Sequence, residues 1–149
     1  MTMKTYSLLF FLLALLASAC QSPQDRLDVT TANLAKATTL CSEIQTQVSV
    51  LEDHRGKSDE IDRLLYEAKE DFELSRALSD AEDRANRDAL RNATREAQQQ
   101  HRTRSTNFKK FDGDLFGPSE EERRQKTYDQ LKGRYFARQS VVRSLSSGE

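Results

Sequence analysis

The chain has 149 residues, a formal net charge of −1, 32% charged residues and no tryptophan. That is one domain's worth of sequence, and much of its apolar content lies in the first nineteen residues. What remains is too poor in large aliphatics for a thick core and favours long helices that each bury one narrow stripe.

The chain opens with Lys4 and an apolar run from Leu8 to Ala19, closed by small residues and Cys20. Twelve residues fall short of the roughly 20 that cross a bilayer as a helix, so the run reads as an export signal that is removed. Ala17-x-Ala19 fits an ordinary secretory cleavage site. Leu16-Ala17-Ser18-Ala19-Cys20 also resembles the lipobox of bacterial lipoproteins, with Ala17 where leucine is most common. The resemblance implies diacylglycerol on the Cys20 sulfur, cleavage before Cys20 and acylation, palmitate included, of the new amino terminus. Gln21, in place of aspartate, implies sorting to the outer membrane of a Gram-negative bacterium. The expected location is therefore that membrane, with the anchored body facing the periplasm; several acyl chains hold a protein firmly where one does not.

Removing the signal takes Lys4 with it and leaves a net charge of −2. With Cys20 lipidated, Cys41 is the one remaining thiol and no intramolecular disulfide can form. Gln21 to Gln24 reads as a short tether carrying Pro23.

From Leu27 a heptad grid predicts a helix over about 25–53. Leu27, Leu34, Cys41 and Val48 fall in one register, and Thr30, Ala37, Ile44 and Leu51 follow three residues after each. Cys41 in this seam reads as a buried apolar thiol or as a disulfide across a parallel homodimer. His54 to Ser58 breaks the helix: Gly56 suits the left-handed position, and Ser58 suits the next cap, with Asp59 and Glu60 behind it. So short a turn predicts an antiparallel hairpin. Gly56-Lys57-Ser58 is not a phosphate-binding loop, because Leu51 stands where that motif needs glycine.

A second helix is expected over about 58–104, with a stripe of Ile61, Leu64 or Leu65, Ala68, Phe72, Ser75 and Leu78. Alanine then recurs every four residues from Ala77 to Ala97, a ladder that winds around the helix without a fixed face. It fits a solvated helix carried by propensity, supported by Asp80–Arg84 and Asp83–Arg87, or close packing against a partner. Charge is segregated: residues 52–83 hold 12 acids and 5 bases, whereas residues 84–110 hold 8 bases and 2 acids. Arg84, Arg87, Arg91, Arg95 and Arg102 form one ridge, which reads as a solvated face or a surface for anionic lipid or lipopolysaccharide. Nucleic acid is not expected, since no aromatics interleave with the ridge. A hairpin centred near Arg55 sets residue i opposite 110 − i, with Gln24 beside Ala85 to Arg87.

Phe108, Phe111, Leu115 and Phe116 form the densest apolar cluster after the signal. They read as a plug on the helices or as a loop that docks a partner or dips into a membrane. Asp112-Gly113-Asp114 lacks the further ligands that calcium needs. Ser119 to Glu122 is a capping box opening a third helix over about 119–145, with a seam of Tyr128, Leu131, Tyr135, Arg138, Val142 and Leu145. Residues 146–149 should fray. Glu149, not lysine, stands last, so the peptidoglycan attachment of major murein lipoproteins is not expected.

The expected fold is all-α: an elongated hairpin plus a third helix, with lengths of about 45, 70 and 40 Å. His54 and His101 lie far apart, no Gly-x-Ser-x-Gly elbow occurs, and no catalytic group, metal site or cofactor is expected. The sequence thus points to a lipid-anchored structural, assembly or secretion-accessory (pilotin-like) factor that packs against another envelope protein or itself. The alternative is a surface-exposed exclusion, inhibitor or adhesion lipoprotein. A carrier of a small apolar ligand would need a cavity between the helices.

Overall fold

The computed structural model of the chain describes residues 22–100 and 119–148. Three helices account for almost all of them: α1 (Pro23–Asp53), α2 (Asp59–Gln100) and α3 (Glu120–Ser147), with no strand among the described residues. The all-α, three-helix reading is what the chain adopts.

Local chemistry sets the ends. Ser22 caps α1, its hydroxyl accepting the Asp25 N–H at 3.1 Å while the Ser22 N–H donates to Asp25 Oδ2 at 3.0 Å. Pro23 sits in the first turn, where its missing N–H costs nothing. Helix therefore begins inside the stretch expected to be a tether. Ser119 and Glu122 form the same reciprocal cap on α3, which runs on to Ser147 and ends at Gly148 in the left-handed region, two residues beyond the expected fraying point. In the turn, Gly56 takes φ 78°, and Ser58 caps α2 by accepting the Ile61 N–H at 3.2 Å.

α1 and α2 are antiparallel, but not in the expected register. Thr31 bonds to Asn86 and Thr38 to Ser79, so residue i faces roughly 117 − i. The correction follows from the turn. The Gly56 N–H donates to Asp62 Oδ1 at 2.8 Å, which folds the turn beside the first turn of α2 instead of beyond it. Pro23 is consequently level with about residue 94, not with Ala85 to Arg87. α3 runs antiparallel to α2 and parallel to α1, with Arg124 at Glu82, Arg138 at Asp71, and Gln47 Nε2 donating to the Tyr135 carbonyl at 3.0 Å.

Burial corrects the seams by a fraction of a turn. In α1 the buried residues are Ala37, Leu40, Ile44, Gln47 and Leu51, while Cys41 and Val48 are only half-buried. Cys41 is a free thiol on the flank of the seam. In α2 both Leu64 and Leu65 are buried and Asp71 takes the central place expected of Phe72. A helix flanked by two neighbours buries a wider face than a two-helix seam does, so the stripe centres between them.

The core forms two apolar clusters. Ala37, Leu40, Ile44, Leu78 and Leu131 make one; Leu51, Leu64, Leu65, Ala68 and Val142, near the turn, make the other. Gln47, Asp71 and Arg138 lie between them in sequence on all three helices.

A Cβ at Gly56 would meet no neighbour, so its cost is purely conformational. Gly56→Ala is expected to lower the unfolding free energy by about 1 kcal/mol in urea denaturation. The hydrogen bonds from Ser22, hydroxyl foremost and then backbone, hold the Asp25 carboxyl below its ordinary value. A carboxyl depressed on folding stabilises above the ordinary aspartate range and loses that contribution as pH falls through the depressed value. The protection of the Ser22 and Asp25 amides against exchange, relative to their intrinsic rates at each pH, should therefore fall on acidification before that of α2, as read by NMR.

Candidate functional site

Three features of the helical body bear on what it does. The first is the polar layer between the apolar clusters. Asp71 is 0% exposed and Arg138 3%, and Arg138 Nη1 donates to Asp71 Oδ2 at 2.6 Å. Arg138 Nε donates to Gln47 Oε1 at 3.3 Å, which is held in turn through its Nε2 at the Tyr135 carbonyl. Arg134 Nη1 lies 3.1 Å from Asp71 Oδ1; it attracts that oxygen but is not aligned to hydrogen-bond it. The Arg138 Nη2 donor is buried without a partner. A second pair, from half-buried Arg124 Nε to buried Glu82 Oε1 at 2.9 Å, joins α3 to α2 nearer the open end. Beside it is a cavity of about 10 Å³, room for a single water.

Buried charges of this kind draw attention as acid–base candidates. Here each carboxylate has one oxygen spent on an arginine, Asp71 Oδ2 on Arg138 and Glu82 Oε1 on Arg124. Asp71 Oδ1, Glu82 Oε2 and Arg138 Nη2 have no hydrogen-bond partner among the described residues, and the Asp71 layer spans three helices instead of opening on a cleft. Its chemistry is that of a structural ion pair.

The second feature is an open groove of about 370 Å³ between α1 and α3. Leu40 forms part of its α1 side, with Tyr128, Lys132 and Phe136 across from it on α3. Lys132 Nζ sits 5.7 Å from the Tyr128 ring centre and 6.0 Å from that of Phe136, and Tyr135 meets Phe136 edge to face at 5.2 Å. Phe136 is nevertheless 58% exposed. The groove is open to solvent, so it lacks the enclosure that a carrier of small apolar ligands requires.

The third feature is the arginine ridge. Arg84, Arg87, Arg91 and Arg95 are all exposed. Arg87 pairs with Asp83 at 2.9 Å and Arg91 with Asp88 at 3.5 Å, contacts that hold charges loosely at a surface. The expected Asp80–Arg84 pair is not among the ion pairs of the described residues. Ala81, Ala85, Ala89 and Ala93 are half-buried while Ala77 and Ala97 are exposed, so the middle of the ladder is neither fully solvated nor closely packed.

Elsewhere, the Lys69 ammonium, 2.7 Å from Glu52 across the hairpin, holds the Glu52 carboxyl below its usual range. The Glu70 carboxylate pushes the exposed Tyr66 hydroxyl up. Among the described residues no group of three or more His, Cys, Asp or Glu could hold a metal ion, and no helix is long and apolar enough to cross a membrane. Cys20, His101, Arg102, Phe108, Phe111, Leu115, Phe116 and Asp112 to Asp114 lie outside the described residues.

The residues that reading the sequence missed are Gln47, Asp71, Glu82 and Arg124. The signal that could have found Asp71 is its spacing, three residues after Ala68 and seven before Leu78, which keeps it on the apolar stripe. No protein-family model, curated protein or solved structure matches the chain.

Removing Arg138 alone leaves Asp71 buried with Arg134 as its one remaining charge partner. Arg138→Met should cost on the order of 3 kcal/mol in chemical denaturation. Asp71→Leu combined with Arg138→Met should recover most of that loss, since an apolar pair of similar volume leaves no charge stranded.

Proposed function

We propose that this chain is a lipoprotein of the Gram-negative outer membrane, anchored by acyl groups on Cys20, whose periplasmic body acts as a non-catalytic structural, assembly or secretion-accessory factor. The observation that carries the reading is the placement of the lipobox-like Leu16 to Cys20 immediately ahead of a capped helix. Cys20 stands two residues before Ser22, a span of at most about 7 Å, so an acylated Cys20 would hold the start of α1 close to the bilayer. Gln21 supports sorting to the outer membrane. The three-helix rod supports a role in packing against another envelope protein, because Phe136 and its neighbours offer uncovered aromatic area beside an open groove of mixed character, with Leu40 next to Lys36, Glu43 and Lys132.

Cys20→Ala tests the anchor: the variant should leave the membrane fraction and appear in the soluble periplasmic fraction, and unchanged membrane retention would refute the reading. Protease added to intact cells should spare the wild-type protein, whereas cleavage would favour an outward-facing effector.

A further inference from the structure

We infer that the basic end of α2, centred on Arg91 and Arg95, docks on the anionic phospholipid headgroups of the membrane that holds the anchor, and so tilts the helical body. The inference rests on the lipid-anchored reading. It follows from where the observed hairpin register puts the charges.

With residue i of α1 facing roughly 117 − i, α2 passes the level of Pro23 near residue 94 and continues to Gln100. It thus reaches about 9 Å beyond the first residue of α1. Arg95 stands at the level of that first residue and Arg91 within one turn of it. The anchor of the proposed lipoprotein is at this end, whereas the turn at Gly56 is at the other.

Direction matters as much as height. Asn86 marks the side of α2 that faces α1, through its bonds from Thr30 and Thr31. At 100° per residue, Arg91 lies about 140° and Arg95 about 180° round the helix from Asn86. Both are exposed and point away from α1. The acids nearest the start of α1 face elsewhere: Asp25 and Asp28 lie about 140° and 200° round that helix from Thr30, and Asp25 is tied to Ser22. On α2 itself, Asp88 pairs with Arg91 and Glu96 is half-buried.

The same outer face of α2 changes sign along its length. Asp62, Glu73 and Asp80 lie on it nearer the turn with Lys69 among them, all exposed, and Arg84, Arg87, Arg91 and Arg95 follow, with Asp88 the one exposed acid between them. An anionic surface attracts the second set and repels the first. Only the terminal part of the helix can lie against such a membrane, so the turn lifts away and the third helix is carried with it into the periplasm.

The test uses the full lipidated chain reconstituted in vesicles of phosphatidylcholine alone or with phosphatidylglycerol, treated with phenylglyoxal and read arginine by arginine by mass spectrometry. Modification of Arg91 and Arg95 should slow at least about fivefold on the anionic vesicles relative to the neutral ones, as expected for a base held at an anionic surface. Arg143, exposed near the turn end of α3, should not slow, and high salt should abolish the difference. Equal rates at Arg91 and Arg95 on the two vesicle types overturn the inference. Flotation separates it from the anchor: a chain that floats with neutral vesicles but shows equal rates keeps the anchor and loses the ridge. One that floats only with anionic vesicles supports the ridge without the anchor, and one that floats with neither overturns both.

Discussion

Asp71 has no path to water, and the rest of the bundle is arranged around that fact. Its carboxylate sits in the middle of three helices, where a lone charge would be prohibitive, so Arg138 must be at its level with Gln47 fixing the Arg138 guanidinium from the other side. A pair like this adds little net stability compared with apolar residues, but it makes register unambiguous. Leu131, Arg138 and Leu145 occupy the same heptad position on α3. Sliding that helix by one heptad would bring a leucine against Asp71 and leave the carboxylate stranded. The heptad seams alone tolerate such a slip; the ion pair does not.

This device matters because the apolar clusters on either side are small. Each rests on five buried residues, three of them leucine in the cluster beside the turn and three in the other. Toward the open end the hairpin is joined by hydroxyls and an amide, Thr38 to Ser79 and Thr30 and Thr31 to Asn86, in place of large side chains. Stability is thus graded along the rod, greatest where α3 covers the hairpin and least where α1 begins.

The sequence made much of this readable. Alternating threes and fours, a glycine between a helix and a serine, and the serine boxes ahead of α1 and α3 follow from backbone rules that hold wherever they occur. The misplaced seams have one cause in common. Heptad reading assumes one partner per helix, but α1 and α2 each face two, which moves the centre of burial from Cys41 and Val48 to Leu40 and Gln47, and from Phe72 to Asp71. Polar residues at the new centre look like surface until a neighbour with the complementary charge is found nearly seventy residues away. Of the candidate site, the exposed ridge from Arg84 to Arg95 was legible because mixed steps of three and four residues define a face without any partner. Its height along the rod was not legible, because that depended on how the turn folds.

That height gives the charge pattern its meaning. In the expected register Arg84 and Arg87 would have flanked the start of α1, next to Asp80 and Asp83, where attraction and repulsion toward an anionic surface largely cancel. The observed register moves the boundary between acid and base some seven residues, about 10 Å, away from that level. Two bases then stand at the start of α1; Asp88, paired with Arg91, is the one acid of the same face within two turns of Arg91, and Asp80 stands about three turns back. A helix with an acidic half and a basic half can serve as a lever only if the sign changes away from its fulcrum. In the proposed anchored protein the fulcrum is the start of α1, and the sign changes well short of it.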